Sequence, residues 1–138
     1  MITVKKQVFF SRGSRGRRRI DDQSPPSQVV PAGRVPRVSR VMALAIEFDR
    51  LLREGIVSST IELARLAQVT QPRITQVMNL LHLAPDIQEE LLFLPLVTQG
   101  RDPIHEKQLR RVCSDVSWKR QREKWTKLRN SRASQRKQ

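Results

Sequence analysis

From Val38 onward, apolar residues recur every three or four positions. Val38, Val41, Ala45, Phe48 and Leu52 mark one helical face. Leu44 and Leu51 add an adjacent stripe, so the spacing predicts a helix buried on more than one side and stopped by Gly55. In residues 60–81, TIELARLAQVTQPRITQVMNLL, the helical period breaks and restarts. Ser59 with Glu62 three residues on has the form of a capping box, and the helix it opens ends near Ala67. Pro72 fits only a first helical turn, so a second helix starts at Thr70 or Gln71 and runs to about His82. With Ala64 at the small-residue position, Leu63, Ala67, Val69, Ile74 and Val77 fall where two steeply crossing helices must bury side chains. The pattern predicts a helix-turn-helix. Its turn commonly carries glycine where this chain has Gln68, and a left-handed residue with a side chain costs about 1–2 kcal/mol.

Beyond the motif, Pro85 breaks the chain and Ile87, Leu91, Leu92 and Leu94 make a short apolar face that Pro95 and Gly100 end. Asp102-Pro103 has the form of an N-cap followed by a first-turn proline, opening a helix with Ile104, Leu109 and Val112. Asp115 or Ser117 caps a last helix in which Trp118, Trp125 and Leu128 share a face. Residues 130–138 read as an unstructured basic tail. At the other end, Ile2, Val4, Val8 and Phe10 alternate as one short strand would, with nothing to pair with. SRGSRGRRRI reads as a disordered arm and DDQSPPSQVVPAGRVP as a linker. The expected class is all-α. A compact helical domain with a central helix-turn-helix spans residues 35–100, a basic arm and linker residues 1–34, and basic helices residues 101–129.

Charge sharpens this division. The 138 residues carry a net charge of +14. Residues 1–34 hold eight Lys/Arg against two Asp/Glu, residues 35–100 six against seven, and residues 101–138 thirteen against four. The centre is near neutral and the flanks carry the positive field, which favours a polyanion, nucleic acid first. A single cysteine, Cys113, excludes an internal disulfide, and with only His82 and His105 there is no zinc spacing. No apolar run approaches the roughly 20 residues that span a bilayer. The first residues do not form a signal peptide, so a cytoplasmic, nucleoid-associated protein with no membrane partner is expected. Carboxylates are scattered, without a catalytic triad, phosphate loop or metal set. The expectation is no enzyme activity, no metal and no cofactor.

The candidate chemistry lies on the second motif helix. Thr70, Gln71, Arg73, Thr75, Gln76 and Asn79 face outward with no acid among them. Amides and arginine pair bidentately with adenine and guanine, each good pair contributing roughly 1–3 kcal/mol of discrimination. Thr70 and Gln71 stand where helix N-terminal groups meet a phosphate. Phosphate contact is expected from Arg12, Arg15, Arg17, Arg18 and Arg19 in the arm. Around Arg15-Gly16-Arg17 the flanking prolines of an AT-hook are absent, which favours non-specific contact. Lys119, Arg120, Arg122 and Lys124 are expected to add phosphate contacts from the last helix, with its two tryptophans anchoring that helix to the core.

ELARLAQVTQPRITQVMNLLHLAPDIQEELL resembles the helix-turn-helix of ParB/KorB-like DNA-binding proteins over about 35 residues, a quarter of the chain. The shared features are Asn79-Leu80-Leu81-His82-Leu83, Pro85, and Ile87 to Leu91. The resemblance implies a second motif helix in the major groove, with Gln71, Arg73, Thr75 and Gln76 facing bases. It does not imply chromosome partition, because the nucleotide-binding domain of ParB proteins precedes this element and 59 residues precede Thr60 here. The whole chain also resembles small helix-turn-helix proteins encoded near serine recombinases in mobile elements.

The expected function is sequence-specific binding of double-stranded DNA, as a transcriptional regulator or a recombination accessory factor. A recombinase is a further expected partner, and a homodimer an expected assembly. The rivals are a non-specific DNA or RNA binder led by the flanks, and an adaptor that docks a recombinase.

Overall fold

The computed structural model describes residues 2–3, 9–12, 18–21 and 32–135. The chain divides into two units, Met1–Pro31 and Ala32–Gln138. In the first, β1 (Phe9–Arg12) pairs antiparallel with β2 (Arg18–Asp21), Phe10 opposite Ile20 and Ser11 opposite Arg19. Of the alternating residues Phe10 lies in β1 and Ile2 does not, while Val4 and Val8 lie outside the described residues. The partner of β1, Arg18–Asp21, falls partly in the segment read as a disordered arm, so the ladder satisfies backbone groups that a lone strand leaves open.

The second unit is all-helical: α1 (Arg37–Arg53), α2 (Thr60–Ala67), α3 (Gln71–Met78), a 3₁₀ turn (Asn79–His82), α4 (Pro85–Leu92), α5 (Glu106–Cys113) and α6 (Trp118–Gln135). α1 is the central element, packing against α3, α4 and the 3₁₀ turn. Its buried face is Val38, Val41, Met42, Ala45 and Phe48. Leu44, expected inside, is exposed, and Met42 fills the second stripe instead. Buried Ser39 donates its hydroxyl to Leu91 O at 2.6 Å, tying α1 to the end of α4. Gly55, at φ +70°, ends α1 as expected. The Ile56 N–H reaches Leu51 O at 3.0 Å and the Gly55 N–H reaches Leu52 O at 3.3 Å, the paired bonds of a Schellman ending.

Residues 35–100 and 101–129 share one core. Ile104, Leu109, Val112 and Trp125 belong to the same buried cluster as Leu63, Ile74 and Ile87. Asp102 does not open α5. That helix starts at Glu106 behind His105, whose N–H donates to Gln108 Oε1 at 2.8 Å. Asp102 instead accepts the Arg37 N–H at 2.9 Å and pairs with the Arg34 guanidinium, so it caps α1, whose own N-cap residue, Pro36, makes no side-chain cap bond. An isolated bridge, Arg34 with Val97, holds this junction together. The chain approaches closely there: a Cβ on Gly33 would lie 3.0 Å from Leu96 Cβ.

α6 is longer than expected, running through residues 130–135 of the segment read as an unstructured tail. Its buried side is Gln121 and Trp125, with Leu128 partly buried. Trp118 does not share that face: it is 50% exposed, with the Arg122 guanidinium 6.0 Å from its ring centre. Gln121 explains how a strongly polar helix docks. Its amide donates to His82 O at 3.1 Å and Asp115 O at 2.7 Å and accepts the Ala84 N–H at 2.8 Å. The Trp125 indole N–H donates to Glu90 Oε2 at 2.9 Å.

Candidate nucleic-acid interface

α2 and α3 are two eight-residue helices joined by residues 68–70. Ser59 caps α2 as expected, accepting the Glu62 N–H at 3.2 Å. The return half of the box is shifted by one residue. Glu62 Oε2 accepts from the Ser58 N–H at 2.8 Å and from the Ser58 hydroxyl at 2.6 Å, and these bonds hold its carboxyl below the usual value. Gln68 is left-handed, at φ 54° and ψ 40°. The Val69 N–H reaches Ala64 O at 3.1 Å and the Gln68 N–H reaches Arg65 O at 3.2 Å, so the turn has glycine geometry without glycine. Among the described residues Gln68 is the one non-glycine with positive φ.

Leu63, Ala64, Ile74 and Val77 are buried between these helices and α1, as the pattern requires. Ala67 and Val69 are not. Ala67 is exposed and Val69 is 41% exposed, because the left-handed residue between them ends α2 and leaves both at the outer edge of the turn. Leu66 and Ile61 are exposed as well.

Gln71 and Thr75 on α3 and Asn79 at its C-cap are exposed and spaced by four, so they lie along one outward face with Pro72 beside them. Thr70 is exposed at the N-cap and makes no side-chain cap bond. Gln76 is half-buried at the margin of this face. Arg73 departs most from the expectation. Its guanidinium forms a two-point pair with the Glu106 carboxylate at the start of α5: Nη1 meets Oε1, and Nη2 donates to Oε2 at 3.1 Å. The Arg73 bond holds the Glu106 carboxyl below its ordinary value. An acid therefore does stand against this helix. It arrives from 33 residues away, where no local pattern could reveal it.

The expected phosphate contacts divide in the same way. Arg15 and Arg17 lie outside the described residues, and Arg12, Arg18 and Arg19 are described only as strand backbone. Lys119, Arg120, Arg122 and Lys124 are exposed on α6, but three of them already face acids. Arg122 Nε donates to Asp86 Oδ2 at 3.0 Å, Lys124 lies 2.9 Å from Asp115, and Arg120 lies 3.9 Å from it.

Among the described residues, no group of three or more His, Cys, Asp or Glu could hold a metal, and no helix is long and apolar enough to cross a membrane. Burial pushes the Cys113 thiol up to about 11, where it is a poor nucleophile at neutral pH. Comparison with family models, curated proteins and solved structures returns no match.

Proposed function

We propose that α2 and α3 form a helix-turn-helix and that the chain binds double-stranded DNA with sequence preference. The observation that carries this is the outward face of α3, where Gln71 and Thr75 stand exposed, continued by Asn79 at its C-cap, on a helix whose opposite side is buried against α1 and α2. These side chains are short and uncharged, and they suit base-edge hydrogen bonding better than charge pairing. In this reading α3 lies in the major groove, and Arg73 is an interhelix tie. Its two-point pair with Glu106 engages the fork that would otherwise meet guanine. The similarity of residues 62–92 to ParB/KorB-like motifs supports the same placement of α3. The chain would then work on the nucleoid in the cytoplasm, as a regulator or as an accessory to recombination on mobile DNA.

Selection from a random duplex library tests the reading. A defined motif is expected, and a palindromic one would mark a dimer. An unstructured consensus would favour non-specific binding, the second reading, which the net charge of +14 supports on its own.

A further inference from the structure

The positive charge of the helical unit is neutralised in some places and not in others. On α6, Arg122 meets Asp86, Arg129 meets Glu90, and Lys124 and Arg120 meet Asp115. Around the N-terminal ends of α1 and α5 the balance differs. Arg34, Arg37, Arg40, Arg73 and Arg110 gather about two carboxylates, Asp102 and Glu106. Asp102 is occupied by the Arg34 side chain and the Arg37 backbone N–H, and Glu106 by Arg73. Arg37 stands in the first turn of α1, where its own N–H is held by Asp102, Arg40 follows it by one turn, and Arg110 stands one turn after Glu106 on α5. All three arginines are exposed. Arg37 and Arg40 line one hollow of about 270 Å³ with Val41 and Leu44.

We infer that Arg37, Arg40 and Arg110 form a strip that receives the sugar–phosphate backbone of a duplex whose bases face α3. The inference rests on the DNA reading above and assigns its phosphate contacts to three arginines, two from the near-neutral centre and one from the C-terminal flank, that the charge pattern does not single out. The strip adjoins α3 twice, through the packing of α1 on α3 and through the Arg73–Glu106 pair. Arg37 and Arg40 stand one turn apart on α1, so their side chains are neighbours on one helix surface. A guanidinium presents a planar fork of donors that matches phosphate oxygens. Two acids among five arginines leave the region cationic while holding its architecture fixed. The sequence hides the strip, because its members come from residues 37–40 and 110, which lie far apart in the chain.

The test measures affinity of the full chain for the library-selected duplex and for a scrambled duplex, between 50 and 200 mM salt. The salt slope changes by about 0.9 for each phosphate contact removed. The triple variant Arg37→Ala, Arg40→Ala, Arg110→Ala is expected to flatten the slope by roughly 3 on both duplexes and to keep the preference ratio. The corresponding triple lysine variant is expected to keep most of the slope. Lys119→Ala with Arg122→Ala is expected to change it little. If the triple alanine variant folds and its slope matches the wild type while sequence preference persists, the strip is wrong and the DNA reading stands. If the wild-type chain binds neither duplex, the DNA reading falls and the strip with it. Tighter binding of polyglutamate than of duplex, lost in the triple variant, would assign the strip to an acidic protein partner and overturn the phosphate assignment.

Discussion

Arg73 carries two meanings, and its partner decides between them. On its own helix it is an exposed cation among amides, the profile of a guanine reader. In the folded chain Glu106 binds both of its terminal nitrogens. Truncating one member of a partly buried pair leaves the other unmatched, a loss of stability rather than of base reading alone. Gln68 is the opposite case, legible because the turn demanded a conformation and the residue was the wrong type for it. Its left-handed backbone is present as required, with the side chain's steric cost retained. Gln68→Gly is therefore expected to stabilise the fold by about 1 kcal/mol, the steric relief less the extra entropy of an unfolded glycine. Thermal unfolding should show a rise in Tm of several degrees. An unchanged or lower Tm would mean that the Gln68 side chain contributes contacts that offset the strain.

At the scale of elements, the short-range signals are the most faithful. Ser59, Gly55 and Pro72 fix the ends of α1, α2 and α3 by caps and backbone geometry, which depend on neighbours in sequence. The errors arise where a helix takes its partner from afar. Asp102 looks like the cap of the helix that follows it and in fact caps α1, 65 residues earlier. The tail of α6 looks unstructured because its composition is polar, yet it continues a helix already docked through Trp125 and Gln121. Gln121 is the clearest sign that α6 belongs to the core. Replacing it with leucine would strand the buried Ala84 N–H and remove the partner of the His82 and Asp115 carbonyls. Gln121→Leu is expected to cost about 2–3 kcal/mol, seen as a lower denaturant midpoint. A shift below 0.5 kcal/mol would mean that α6 is only loosely attached.

For the whole molecule, the division of charge was visible in the sequence and its neutralisation was not. Counting by segment correctly found a basic end, but the acids that meet Arg122, Arg129 and Lys124 come partly from α4 and the turn before α6. These pairings also set the response to acid. Hydrogen bonds to Arg50, Ser58, Arg122, the Arg37 backbone and Arg73 hold Glu47, Glu62, Asp86, Asp102 and Glu106 below their ordinary values. A carboxyl whose folded value lies below its unfolded one stabilises the fold above the ordinary range, near pH 4, and loses that contribution as pH falls through the folded value. Tm is therefore expected to be flat between pH 6 and 8 and to fall below about pH 4.5. Glu47 and Asp86 are exposed and contribute little each. Glu106, among the least exposed of them, should matter most, so Glu106→Gln is expected to flatten the acid limb. A variant with an unaltered limb would remove Glu106 from the account.

The central claim is that α3 reads bases through Gln71 and Thr75 while cations elsewhere hold the backbone. The most direct measurement is the ratio of affinities for the selected duplex and a scrambled one, for the wild type and for Gln71→Ala with Thr75→Ala. Both side chains are exposed, so the fold is expected to persist. The account predicts that the ratio collapses towards one, with affinity for the scrambled duplex almost unchanged and the salt slope preserved. A preference ratio equal to that of the wild type in the folded double variant would contradict it.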